Sequence, residues 1–153
     1  MSFVGGLKRE PLSKIADRLA NYELVIKASE PVFEMSGRKL EEIIKQQPQD
    51  LSMYALLLQE CKTIESYVET KAEEQEGLLY RKYHESGARA LGATELSRYI
   101  KSDPSYLEIK HIINDVNHIR RSLEAIVSAL ETMGWSLTNI TKLRVAQMDH
   151  VIL

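Results

Sequence analysis

Apolar residues recur at every third or fourth position along most of this chain. Between residues 105 and 133 they fall at Ile109, Ile112, Val116, Ile119, Leu123, Ile126, Leu130 and Met133, an unbroken alternation of three and four. That spacing predicts a long α-helix with a coiled-coil-like seam. Asp103 offers an N-cap oxygen, Pro104 suits the first helical position, and Gly134 stands where a helix usually stops. Tyr106, Ile113 and Val127 widen the stripe on one flank, so this helix should touch more than one neighbour.

A second long helix is expected from about Asp50 to about His84, carrying Tyr54, Leu57, Cys61, Ile64, Val68 and Leu78 in the same pattern. Its seam breaks at Lys71 and Gln75, which implies a loosely paired or solvated middle, or a partner that tolerates charge there. Two short amphipathic helices, residues 11–28 and 38–47, precede it; "SEPVFEMSG" separates them and Pro48 closes the second. A last short helix should follow Trp135, using Leu137, Ile140, Leu143 and Met148. Residues 86–94, "SGARALGAT", read as a loop or a short irregular helix. No window shows the strict alternation of a half-buried strand. The fold class is therefore all-α, a bundle of long helices. A chain this short has few long helices of its own to cover two apolar flanks. The Ile109, Ile112, Val116, Ile119, Leu123, Ile126, Leu130 seam is thus expected to include contacts between subunits.

Composition adds three bounds. The 153 residues suffice for one domain of ordinary size. The single cysteine, Cys61, excludes an internal disulfide framework and suits a reducing cytosol, and no run of about 18 apolar residues could span a bilayer. A soluble, cytoplasmic protein is the expectation. The net charge of -2 conceals a division: residues 60–76 hold six Glu against two Lys, whereas residues 80–101 hold five Lys or Arg against two Glu.

Enzyme chemistry finds little support. His84 and His150 are isolated, and His111 and His118, seven residues apart, would lie about 10 Å apart on one helix face, too far to share a metal. Adjacent glutamates, such as Glu73 and Glu74, point to different sides of a helix. No phosphate-cradling loop, dinucleotide fingerprint or nucleophile elbow occurs, and Cys61 sits on an apolar seam as a structural thiol would. No catalytic residue, metal or cofactor is therefore expected. The stretch "LLYRKYHESGARALG", residues 78–92, is the chemical exception. Here and just beyond, Arg81, Lys82, Arg89, Arg98 and Lys101 could neutralise phosphates, while Tyr80, Tyr83 and Tyr99 offer faces on which unpaired bases stack. The competing reading is a solvated connector, because arginine and tyrosine also populate ordinary helix surfaces.

The order of motifs resembles the UvsY family, the recombination mediators of T-even type phages. It runs from "RKLEEIIKQQPQD" through the long helix ending in "YRKYHESG", then the helix opening at "DPSYLEIK", to the closing "WSLTNITKLR". The likeness spans roughly residues 38–148, so that residues 1–37 form an N-terminal helical extension to a mediator core of residues 38–153. It implies a non-enzymatic protein that forms a ring of six or seven subunits and binds single-stranded DNA. It also implies two protein partners, a RecA-type recombinase and the single-strand binding protein that the recombinase displaces. The family carries a basic pair just before its Ser-Gly turn. Arg81 matches the second basic position, Leu79 occupies the first, and Lys82 can stand in for it. The rival expectation is a helical structural or scaffold protein of a phage that oligomerises without binding DNA.

Overall fold

The computed structural model describes residues 11–86 and 90–151. Among these there are four α-helices and no strand: α1 (Leu12–Lys27), α2 (Leu40–Glu85), α3 (Ala93–Ser102) and α4 (Pro104–Val151). A 3₁₀ turn, Glu30–Phe33, follows α1. The Ser29 hydroxyl donates to the Ile26 carbonyl at 2.7 Å where α1 ends, and Gly37, at φ 75°, takes the left-handed conformation that turns the chain towards α2. The segment "SEPVFEMSG" does separate two helices.

Two expected breaks are absent. Pro48 lies inside α2, so the expected helix over 38–47 and the long helix beyond it form one element of 46 residues. An interior proline forfeits one backbone bond and strains the preceding turn, at about 3 kcal/mol. Buried residues on both sides of it, Ile43 before and Tyr54 and Leu58 after, hold the helix in one register and outweigh that cost. Gly134 likewise does not stop α4, which runs on through Trp135 and absorbs the expected last helix. Of the expected loop over 86–94, residues 87–89 lie outside the described residues, and 93 and 94 belong to α3, which starts at Ala93 behind Gly92.

The seams are also one residue out of phase in places. Leu58 is buried where Leu57 was expected, and Leu79 is 4% exposed while Leu78 is 58% exposed. Ile113 is buried and Ile112 only half-buried. After Val68 the seam takes a four-residue step to Ala72, then passes Gln75 to reach Leu79. Lys71, the expected break, is therefore not on it.

The chain divides into two compact units. The first takes in the described residues up to Asn21 and Glu60–Arg120. In it the end of α2 runs antiparallel to the start of α4: the Cys61 thiol donates to the Val116 carbonyl at 3.7 Å, and the Gln75 amide donates to the Ser105 hydroxyl at 2.9 Å. Arg120 Nε lies 2.9 Å from Glu65 Oε2 across the same pair of helices. Ile64, Val68, Val116 and Ile119 are essentially inaccessible, and Ile15 and Leu19 of α1 are buried too. The second unit comprises Tyr22–Gln59 and Arg121 onwards. Its core includes Tyr22, Tyr54, Leu123, Leu130 and Leu137.

Ile109, Val116, Ile119, Leu123, Ile126 and Leu130 are each at most 8% exposed in a single chain. Ile112 is half-buried, so the chain's own helices cover most of the seam that was expected to include subunit contacts.

Gly134 has a use other than stopping a helix. In the second unit the Gln47 amide donates to the Leu130 carbonyl at 2.8 Å, and a Cβ at Gly134 would sit 2.9 Å from Gln47 Nε2. The missing side chain admits the amide. Alanine at 134 would raise helix propensity by about 1 kcal/mol. In the native background it should also displace the amide and lose a hydrogen bond worth about 1 kcal/mol. Gly134→Ala is therefore expected to change stability little on its own but to stabilise a Gln47→Ala protein by about 1 kcal/mol. Urea unfolding of the four proteins of this cycle measures the coupling, and equal effects in both backgrounds would remove the role given to Gly134.

Candidate nucleic-acid interface

The basic, aromatic segment lies where α2 ends and α3 begins. Leu79 on α2 and Leu96 and Ile100 on α3 form a small buried cluster, with Tyr83, Leu91 and Tyr106 packed against it. Burying Leu96 and Ile100 on one side of α3 leaves Arg98, Tyr99 and Lys101 exposed. Arg81 and Lys82 are likewise exposed on α2. The position where the resemblance expected a first basic residue, Leu79, belongs to this core.

Asp103 organises the corner. It closes α3 and caps α4: its Oδ1 accepts from the Ser105 backbone N–H at 2.9 Å, and its carbonyl accepts from the Leu107 N–H at 3.0 Å. The Ser105 hydroxyl donates to the same Oδ1, and the Tyr83 hydroxyl donates to Oδ2 at 2.7 Å. Lys82 Nζ stands 3.8 Å from Oδ2 and 5.3 Å from the centre of the Tyr83 ring. The Ser105 hydroxyl, then the Tyr83 hydroxyl and the Ser105 N–H, hold the Asp103 carboxyl down to about 2, with a smaller contribution from the Lys82 charge. The same bond to Asp103 raises the Tyr83 phenol, and burial and the carboxylate's charge push it the same way.

The predicted residues therefore divide. Arg81, Lys82, Arg98 and Lys101 are exposed cations on two helices that share one core cluster. Tyr83 is half-buried and bonded to Asp103, which makes it part of the joint, while its ring lies 5.7 Å from that of Tyr99. Tyr99 and Tyr80 are about half exposed, at 47% and 51%, and Tyr80 stacks on His84 at 5.6 Å. Arg89 lies outside the described residues. Sequence reasoning placed Asp103 only as a cap. That it also receives Tyr83, from 20 residues upstream, and its neighbour Lys82 has no local signature; the i, i+4 spacing of Tyr80 and His84 does foreshadow their stack.

Among the described residues no three His, Cys, Asp or Glu side chains gather as a metal set, and no helix is long and apolar enough to cross a membrane. Of the acidic run, Glu69, Glu73, Glu74 and Glu76 are exposed on α2, whereas Glu60 and Glu65 are half-buried. No family model, curated protein or solved structure matches this chain.

Because the folded Asp103 titrates below its ordinary value of 3.8, its contribution to stability is fully present above about pH 4 and is lost as the pH falls from there towards about 2. Asp103→Asn is expected to lower stability at pH 7 and to flatten the stability profile across that acid window. Denaturant midpoints measured from pH 7 down to pH 2.5 test this, and an unchanged acid slope would contradict the arrangement.

Proposed function

We propose that this chain is a non-enzymatic mediator of DNA recombination that binds single-stranded DNA as a homo-oligomer. It would help a RecA-type recombinase replace the single-strand binding protein on a coated strand. The observation that carries the reading is that Arg81 and Lys82 of α2 and Arg98 and Lys101 of α3 are exposed, with Tyr80 and Tyr99 about half exposed, on two helices that share one core cluster. Cations at such a surface track phosphates whatever the sequence, and tyrosine faces favour unpaired bases over a closed duplex. The resemblance to the UvsY family in motif order points the same way. Repetition of the surface around an oligomer would add weak contacts through multivalency, which is how a strand could be drawn from a competitor without nucleotide hydrolysis.

One observation favours the rival reading of a helical structural protein. Tyr83 and Lys82 are engaged with Asp103, as residues of a purely architectural joint would be. The two readings part on salt-dependent binding of a labelled single-stranded oligonucleotide. Under the mediator reading, Arg81→Ala with Lys82→Ala weakens binding and reduces the slope of log affinity against log salt by about 1 to 2, with oligomer mass unchanged. Absence of binding by the native protein at low salt would leave the structural reading. Equal binding by native and double variant would move the interface, with Lys142 and Arg144 on α4 the next cations to replace. Filament assembly on a coated strand then tests mediation itself.

A further inference from the structure

Gly77 lies inside α2, where glycine is the least favourable residue after proline. The fold makes no use of its missing side chain: its φ is not in the left-handed region, and a Cβ there would meet nothing within 4 Å, unlike one at Gly134. What the glycine leaves open is on the outside. With Glu73, Glu74, Leu78 and Arg81 it lines an open groove of about 440 Å³, on the side of α2 turned away from buried Cys61, Ala72 and Leu79. Tyr80 stands one turn further on. Side chains on a helix lean towards its N-terminus, so the Tyr80 ring leans over the turn that holds Gly77. From the other side His84 stacks on it, with centroids 5.6 Å apart and 17° between the planes. One face of an exposed phenol is thus held by an imidazole, and the other is open towards Gly77.

We propose that the space over Gly77 receives one unpaired base of a bound single strand, stacked on the open face of Tyr80, with His84 as a positioning residue that fixes the ring. This subsite deepens the strand-binding reading above and rests on it. The surrounding charges orient the guest. Arg81 supplies a cation at one end of the groove, whereas Glu73 and Glu74 stand at the other, with exposed Glu76 beside them and Glu74 already paired with Lys71 at 2.8 Å. A phosphate is drawn to Arg81 and repelled from the glutamates, which leaves the space between for the neutral base. Tyr83 and Tyr99 suit the role less. Tyr83 is half-buried with its hydroxyl bonded to Asp103, and the two rings face each other at 5.7 Å with a tilt of 31°. Bases inside a duplex have no free face to offer, so the subsite selects unpaired strands.

Gly77→Leu fills the space and raises helix propensity, so a loss of binding in this variant cannot come from weaker folding. Gly77→Leu and Tyr80→Ala should each weaken binding of a labelled oligothymidylate at fixed low salt by about fivefold or more. The slope of log affinity against log salt should stay native in both, because it counts phosphates and not bases. Tyr80→Phe keeps the ring and should bind as the native protein does. His84→Ala should weaken binding and His84→Phe should restore it, again at constant slope. Native-like affinity in either Gly77→Leu or Tyr80→Ala overturns the subsite and leaves strand binding to the cations alone. A slope that falls together with affinity also overturns it, by assigning the loss to phosphate contacts. A native protein that binds no oligonucleotide at low salt overturns both the subsite and the strand-binding reading.

Discussion

A single carboxylate decides the geometry around which the candidate interface is built. Asp103 ends α3 through its backbone N–H, starts α4 and receives the Tyr83 hydroxyl from α2, so three helices meet at one residue. With Leu79, Leu96 and Ile100 packed beneath, α3 is fixed so that its Arg98, Tyr99 and Lys101 face outward. A helix of ten residues is marginal alone in water. Its orientation comes from this joint rather than from its own propensity, and the cations it displays inherit that rigidity.

The paired helices are kept in register by polar groups placed among apolar ones. Gln47 reaches the Leu130 carbonyl in the second unit, and Gln75 reaches Ser105 in the first. Apolar contacts tolerate a slip of one turn, since another branched residue then fills the same hole. An amide directed at one acceptor does not, because the slipped arrangement leaves both groups without a bond. Gln75, which the hydrophobic pattern marks as a defect, is one of the residues that select a single alignment.

Much of the architecture could be read from the residue pattern. The all-helical class, the cap at Asp103 and the apolar stripe of α4 follow from periodicity and local chemistry. Failures of that reading share a cause: they occur where tertiary contacts override a local signal. Pro48 and Gly134 carry strong stop signals, yet buried neighbours carry the helix through the first and a close amide makes use of the second. The shift from Leu78 to Leu79, and from Ile112 to Ile113, arises because 3.6 residues per turn allows either a three- or a four-residue step, and only the facing helix decides which. In the candidate site the exposed cations were legible as a composition. The engagement of Tyr83 was not, since its acceptor is 20 residues away in sequence.

Cys61 gives the first unit a means of timing its own opening. It is the chain's single cysteine, it is fully buried, and its thiol points at the Val116 carbonyl across the α2–α4 pair. A thiol reagent cannot reach it while those helices are together, so every modification event records a moment when they parted. Labelling rate, set against that of an unstructured thiol, converts directly into the free energy of local separation.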